Sequence, residues 1–172
     1  MNFFKNLFTS EMRSEKQKAV FLDRDGVLIR ERGEYTWLLE DMIVNEGVVA
    51  SLKKLQSLGF LLIVISNQAG VAKGVYSKKE VDYLHLHLSR HFALSGIVIS
   101  EYYYCPHFPA VSKCLCRKPD SLLLEKAIAR FNIDPALSYF VGDAVRDMEA
   151  AQKVGVKGIK IEANSQIPEF AD

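Results

Sequence analysis

Cysteine is scarce: there are three in 172 residues, all between positions 105 and 116. An odd, clustered set of this kind excludes a disulfide framework and points to metal binding. One-sided charge is lacking as well. A formal net charge of +1 leaves no general electrostatic attraction for nucleic acid, though it leaves room for a local basic patch. The opening MNFFKNLFTS has a few large apolar residues but passes at once into EMRSEKQK, too short and too soon charged for a signal peptide or a membrane span. It reads as an amphipathic or frayed lead-in over 1–17, with the cytoplasm as the expected location. Internal repeats, low-complexity tracts and interdomain linkers are missing. Residues 18–172 are therefore expected to form one domain, with a core large enough to stand without staples.

What is present is a regular alternation of strand and helix signals. AVFLD (19–23) is a short apolar run ending in acid, which suits a buried strand. Residues 46–58 place Val48, Val49, Leu52 and Leu55 on one helical face, and Gly59 is the natural stop. FLLIVI (60–65) is continuously apolar, as a strand covered on both faces would be. Ser77 and Glu80 have capping-box spacing ahead of Val81, Leu84, Leu88 and Phe92. A strand over 97–104, a helix starting at Pro119 and Asp120, a strand over 139–141, a helix over 145–154 and a last strand over 158–161 complete the pattern. Such alternation predicts an α/β fold, an open parallel sheet with helices on both faces.

The polar signals gather just after the predicted strands, the edge at which open α/β sheets bind ligands. Asp23-Arg24-Asp25-Gly26 follows the first strand, Ser66-Asn67-Gln68 the second and Gly142-Asp143 a late one; Arg117-Lys118-Pro119 opens a helix. Asp23 and Asp25 could be two solvated acids of a turn. The sharper reading makes Asp23 a nucleophile on phosphorus and Asp25 a general acid/base. A carboxylate attacking a phosphate dianion needs a cation close by, and Mg2+ prefers oxygen ligands such as Asp23, Asp143 and the main-chain carbonyl of Asp25. Ser66 and Asn67 would supply neutral hydrogen bonds and Lys118 a positive charge to the moving phosphoryl group. Asp143 and Asp147, four apart at a helix start, could each serve as a cap instead; metal ligation is assigned to Asp143, and Asp147 is placed behind it.

Cys105-Pro-His107, six residues, then Cys114-Leu-Cys116 supplies three thiolates and an imidazole, a complete tetrahedral zinc set with no open position. Its expected role is structural: it pins a loop, and because Arg117 and Lys118 follow Cys116 directly, it also sets the phosphate-binding bases. His85, His87 and His91 share one helix. The last two have metal-pair spacing but no evident acid partner, so surface positions are expected for them. Trp37 and Tyr102 to Tyr104 could stack on a ligand, with core packing as the ordinary alternative.

FLDRDGVL, VISNQAG, CRKPD and VGDAVRD, in this order, resemble the four motifs of the haloacid-dehalogenase-like phosphatases across 18–161. The resemblance implies the same roles for Asp23, Asp25, Ser66, Lys118 and Asp143, and a Rossmann-like core without a large cap. CPH…CLCRKP resembles the zinc loop of a narrower group, which includes the D-glycero-D-manno-heptose 1,7-bisphosphate phosphatases and the histidinol-phosphate phosphatases. NQAGVAKG (67–74) is similar to the NQSGIARG of the heptose enzymes, where Arg117 could grip a distal phosphate. The six-residue gap of the zinc loop is nearer the histidinol-phosphate type, and Ala144 replaces a lysine found in some heptose enzymes. The expectation is removal of the 7-phosphate from the heptose bisphosphate, with histidinol phosphate as the alternative. The expected partner is a small phosphorylated metabolite rather than nucleic acid or membrane, met by a monomer. A receiver-like phospho-switch is the alternative of another class, since it too arranges acids, a hydroxyl and a lysine around magnesium.

Overall fold

The computed structural model describes residues 15–169; most of the lead-in expected over 1–17 lies outside them. In chain order the elements are β1 (Ala19–Leu22), α1 (Val48–Ser57), β2 (Leu61–Asn67), α2 (Lys78–Ala93), β3 (Ile99–Cys105), α3 (Leu122–Phe131), β4 (Tyr139–Gly142), α4 (Val145–Lys153) and β5 (Lys157–Lys160). All five strands are parallel, in the order β3-β2-β1-β4-β5. Strand alternation sends successive side chains to opposite faces and so builds two cores. Val20, Leu22, Leu62 and Val64 meet Leu52 and Leu55 of α1 and Leu84, Leu88 and Phe92 of α2 on one face. Ala19, Phe21, Ile63, Ile65 and Phe140 meet Leu123, Leu124 and Ala127 of α3 and Ala150 and Ala151 of α4 on the other. That two-sided cover explains why the strands read as unbroken apolar runs.

The expected capping box is present: the Glu80 N–H donates to Ser77 Oγ at 3.4 Å and Glu80 Oε2 accepts from the Ser77 N–H at 2.6 Å. Gly59 ends α1 at φ +83°, a conformation that costs other residues a side-chain clash. One start differs. The helix expected from Pro119 begins at Leu122, because residues 116–121 first make a turn, with the Asp120 N–H on the Arg117 carbonyl at 2.8 Å. The turn lets Lys118 dive beneath β2 instead of riding on a helix surface. Among the described residues no second domain stands over the sheet, and no helix is long and apolar enough to cross a membrane.

The chain enters β2 and β3 on one side of β1 and crosses to β4 and β5 on the other. The direction of winding therefore reverses between β1 and β4, the crevice where such sheets bind ligands. The order also differs from the 2-1-3-4-5 winding of receiver domains.

Candidate active site

Asp23 leaves β1 with only 5% exposure, its N–H still held by the β4 carbonyl of Val141 at 3.0 Å. Lys118, 2% exposed, points its ammonium at the same spot. Its Nζ lies 2.9 Å from Asp23 Oδ1, 2.8 Å from Asp147 Oδ1 and 2.8 Å from the Ile65 carbonyl, so all three donors are engaged. Burial pushes the Asp23 carboxyl up to about 6; Lys118 pulls it back, and Asp147 and Asp25 push it further. Asp143 is also raised, first by burial and then by Asp147, against the pull of Arg146 and Lys118.

Carboxylate oxygens of Asp23, Asp143 and Asp147 all lie within 4.8 Å of one another, a set able to hold a hard cation. Gly26 makes this possible. At φ +82° it turns the chain, and a Cβ there would fall 2.2 Å from Asp143 Oδ2. Asp147, left behind Asp143 by the sequence, is wholly buried and does two things. Its Oδ2 accepts from the Ala144 N–H at 3.0 Å at the start of α4, and its Oδ1 balances Lys118. Ala144 at the N-cap has no side-chain oxygen, so Asp147 supplies the reverse half of a capping box alone.

Asp25 stands at the cleft mouth, gripped by Arg24 and Gln68. Ser66 Oγ accepts from Gln68 Nε2 at 2.7 Å. Asn67, expected on the phosphate, has its side chain engaged elsewhere. Its Oδ1 accepts from the Lys118 N–H at 3.0 Å and its Nδ2 donates to the Lys118 carbonyl at 3.1 Å, which clamps the lysine backbone to β2. Arg117 lines the cleft and donates to the His107 carbonyl at 3.3 Å.

These groups line a cleft of about 210 Å³, into which Lys73, Phe108 and Arg146 also turn. Lys73 lies over the rings of Phe108 and Tyr35, at 4.2 and 5.4 Å. A groove of equal volume between α1 and residues 167–169 gathers no comparable polar set. Lys73 and Arg146 escaped the sequence reading because a lysine in a glycine-rich turn and an arginine on a first helical turn look like solvated charges.

The second cluster closes on itself at the end of β3. Cys105 Sγ lies 3.6 Å from Cys114 Sγ, 3.1 Å from Cys116 Sγ and 3.6 Å from His107 Nδ1, and His107 Nδ1 lies 3.2 Å from Cys116 Sγ. A zinc tetrahedron with Zn–S near 2.3 Å has edges of about 3.8 Å, so the four donors fit such an ion. Burial pushes the Cys105 thiol well up. At Cys114 burial also raises the thiol, but the backbone N–H groups of Arg117 and Cys116 outweigh it and hold it below its ordinary value.

Of the three histidines on α2, His85 lies in the core. It is 5% exposed and stacks on Tyr102 with ring centroids 4.7 Å apart. Burial, and then the Arg24 charge, push it down to about 3, so it is a neutral core imidazole. His91 is exposed and His87 half-buried. Trp37 stacks on Tyr76 at 6.2 Å.

A HAD-hydrolase-like family model matches residues 115–166. The D-glycero-beta-D-manno-heptose-1,7-bisphosphate 7-phosphatase of Haemophilus ducreyi is 41% identical over 150 residues, 82% of this chain and 80% of that one. Its counterpart in Escherichia coli K12 is 35% identical over 149 residues, 83% of this chain and 77% of that one. The crystal structure of the D,D-heptose 1,7-bisphosphate phosphatase from B. bronchiseptica, complexed with magnesium and phosphate, superposes with a TM-score of 0.78 at 28% identity, covering 83% of this chain and 79% of that one. On sequence, sheet and site together, the chain belongs to the haloacid-dehalogenase-like phosphatases and is a phosphoric monoester hydrolase.

Proposed function

We propose that this enzyme removes the 7-phosphate of D-glycero-D-manno-heptose 1,7-bisphosphate through an aspartyl-phosphate at Asp23. The observation that carries the substrate is the 41% identity, over most of both chains, to a phosphatase of that name. The cleft agrees with it: Lys73, Arg117 and Arg146 surround it, cations in excess of what one phosphate at Asp23 and Lys118 needs.

In the first step an Asp23 oxygen attacks phosphorus while Asp25 gives its proton to the departing sugar alkoxide. In the second, Asp25 takes a proton from water as that water attacks the acyl phosphate, which frees inorganic phosphate and restores Asp23. Lys118 stays against the nucleophile throughout, and Ser66 donates to a phosphoryl oxygen. Asp23, Asp143 and the Asp25 carbonyl would hold Mg2+, which when bound offsets the repulsion between carboxylate and phosphate. Cys105, His107, Cys114 and Cys116 would hold a structural Zn2+. Their thiols also suit a reducing, cytoplasmic setting.

The test is phosphate release, with magnesium, from the heptose bisphosphate and histidinol phosphate side by side. A higher kcat/KM for the bisphosphate supports the proposal, and a higher value for histidinol phosphate overturns it.

A further inference from the structure

Asp25 is held from two sides by residues that carry no assigned role. Arg24, 1% exposed, places Nε 3.1 Å from Asp25 Oδ2 and Nη2 3.0 Å from Oδ1, and ties the same Nη2 to the Thr36 carbonyl at 2.9 Å. From the other side Gln68, also 1% exposed, places Nε2 3.0 Å from Asp25 Oδ2 and 2.7 Å from Ser66 Oγ.

Gln68 turns its amide nitrogen to Asp25 and Ser66. Gln68 Oε1 then faces Tyr76, whose hydroxyl donates to it at 2.7 Å. Burial pushes that phenol up to about 12, so it remains a donor at any working pH.

The sense of each hydrogen bond propagates inward. Ser66 Oγ accepts from Gln68, which leaves its own proton free to turn toward an anion in the cleft. Asp25 Oδ2 receives both Arg24 Nε and Gln68 Nε2, whereas Oδ1 receives only Arg24 Nη2 and so keeps a lone pair for the transferable proton. Tyr76 reaches this position because residue 70 is glycine: a Cβ there would meet the Tyr76 ring at 2.1 Å.

We propose that Tyr76 and Gln68 form a hydrogen-bond relay that fixes the donor sense of Ser66 and the orientation of Asp25, and so act as positioning residues for proton delivery to the leaving group. The proposal rests on the reading of Asp25 as the acid, and Asp25→Asn tests that reading separately.

Tyr76→Phe keeps the ring packed on Trp37 and removes only the hydroxyl. With magnesium, its kcat/KM should fall about tenfold on an alkyl phosphate, whose leaving group needs a proton, and only about twofold on p-nitrophenyl phosphate, whose leaving group does not. Gln68→Met should show the same pattern more strongly, and Gly70→Ala should mimic Tyr76→Phe. Thermal melts of each variant check that the fold is kept. Equal losses on the two substrates, or no loss on either, overturn the relay. If Asp25→Asn is inert on the alkyl phosphate while Tyr76→Phe is unaffected, the acid stands and the relay falls. Full alkyl phosphate hydrolysis by Asp25→Asn removes both.

Discussion

Two buried carboxylates, Asp23 and Asp147, share one buried ammonium, that of Lys118. Burial first, and then the charge of Asp147, raise the Asp23 carboxyl to about 6 from an ordinary 3.8 against the pull of Lys118. A folded-state value above the unfolded one means that ionising Asp23 opposes folding. The stability it contributes is complete below about pH 4 and is lost as pH rises through 6. Asp23→Asn should therefore abolish turnover and yet, in chelator at pH 8, raise stability by about 1–3 kcal/mol. The gain should shrink toward pH 4; urea melts at the two pH values measure it. Removing the shared cation has the opposite sign. Lys118→Met strands both carboxylates in the interior and should cost about 3–5 kcal/mol by urea denaturation at pH 8.

The segment between β3 and α3 leaves Val111 and Leu115 exposed and is drawn together by four side-chain donors. Its last cysteine is followed at once by Arg117 and Lys118, so the geometry of the cluster is passed directly to the cleft. Cys116→Ser, or zinc removal by chelation, should raise KM about tenfold or more and open residues 106–117 to protease, while far-UV circular dichroism changes little. Elements with strong periodicity were legible: Val81, Leu84, Leu88 and Phe92 all lie buried on α2 as their spacing predicts. The start of α3 was not legible. Pro119 looks like a first helical residue, and only the burial of Lys118 under β2 shows why the chain must turn before the helix begins.

At the scale of the molecule, the cleft gathers side chains from segments far apart in the chain: Lys73 after β2, Phe108 and Arg117 after β3, Arg146 on α4. The sheet brings them together because each follows the C-terminal end of a parallel strand. Arg117→Ala should lower kcat/KM for the bisphosphate about 10- to 100-fold, the worth of one charge-assisted hydrogen bond. For a sugar monophosphate lacking the distal group it should change that constant about twofold or less, so the ratio of the two rates is the measurement. A Cα-level fold alone would not predict this, since folds of this kind host many substrates.

From sequence alone, the order of the polar groups along the strands was readable: acids after β1, hydroxyl and amide at the end of β2, lysine ahead of α3, acid after β4, and the cysteine–histidine set between. Local spacing carries that information, because strand and helix periods and metal-ligand intervals are short-range properties. Tertiary structure decided what each polar group faces. It turned Asn67 onto the Lys118 backbone, made Asp147 the counter-charge of Lys118, and buried His85 and Arg24. It also joined Tyr76 through Gln68 to Asp25 and Ser66. Burial and hydrogen-bond partnership depend on which segments the fold brings together, as it brings Gln68 to Asp25 and Asn67 to Lys118, and a one-dimensional pattern does not record which residues arrive at the same point.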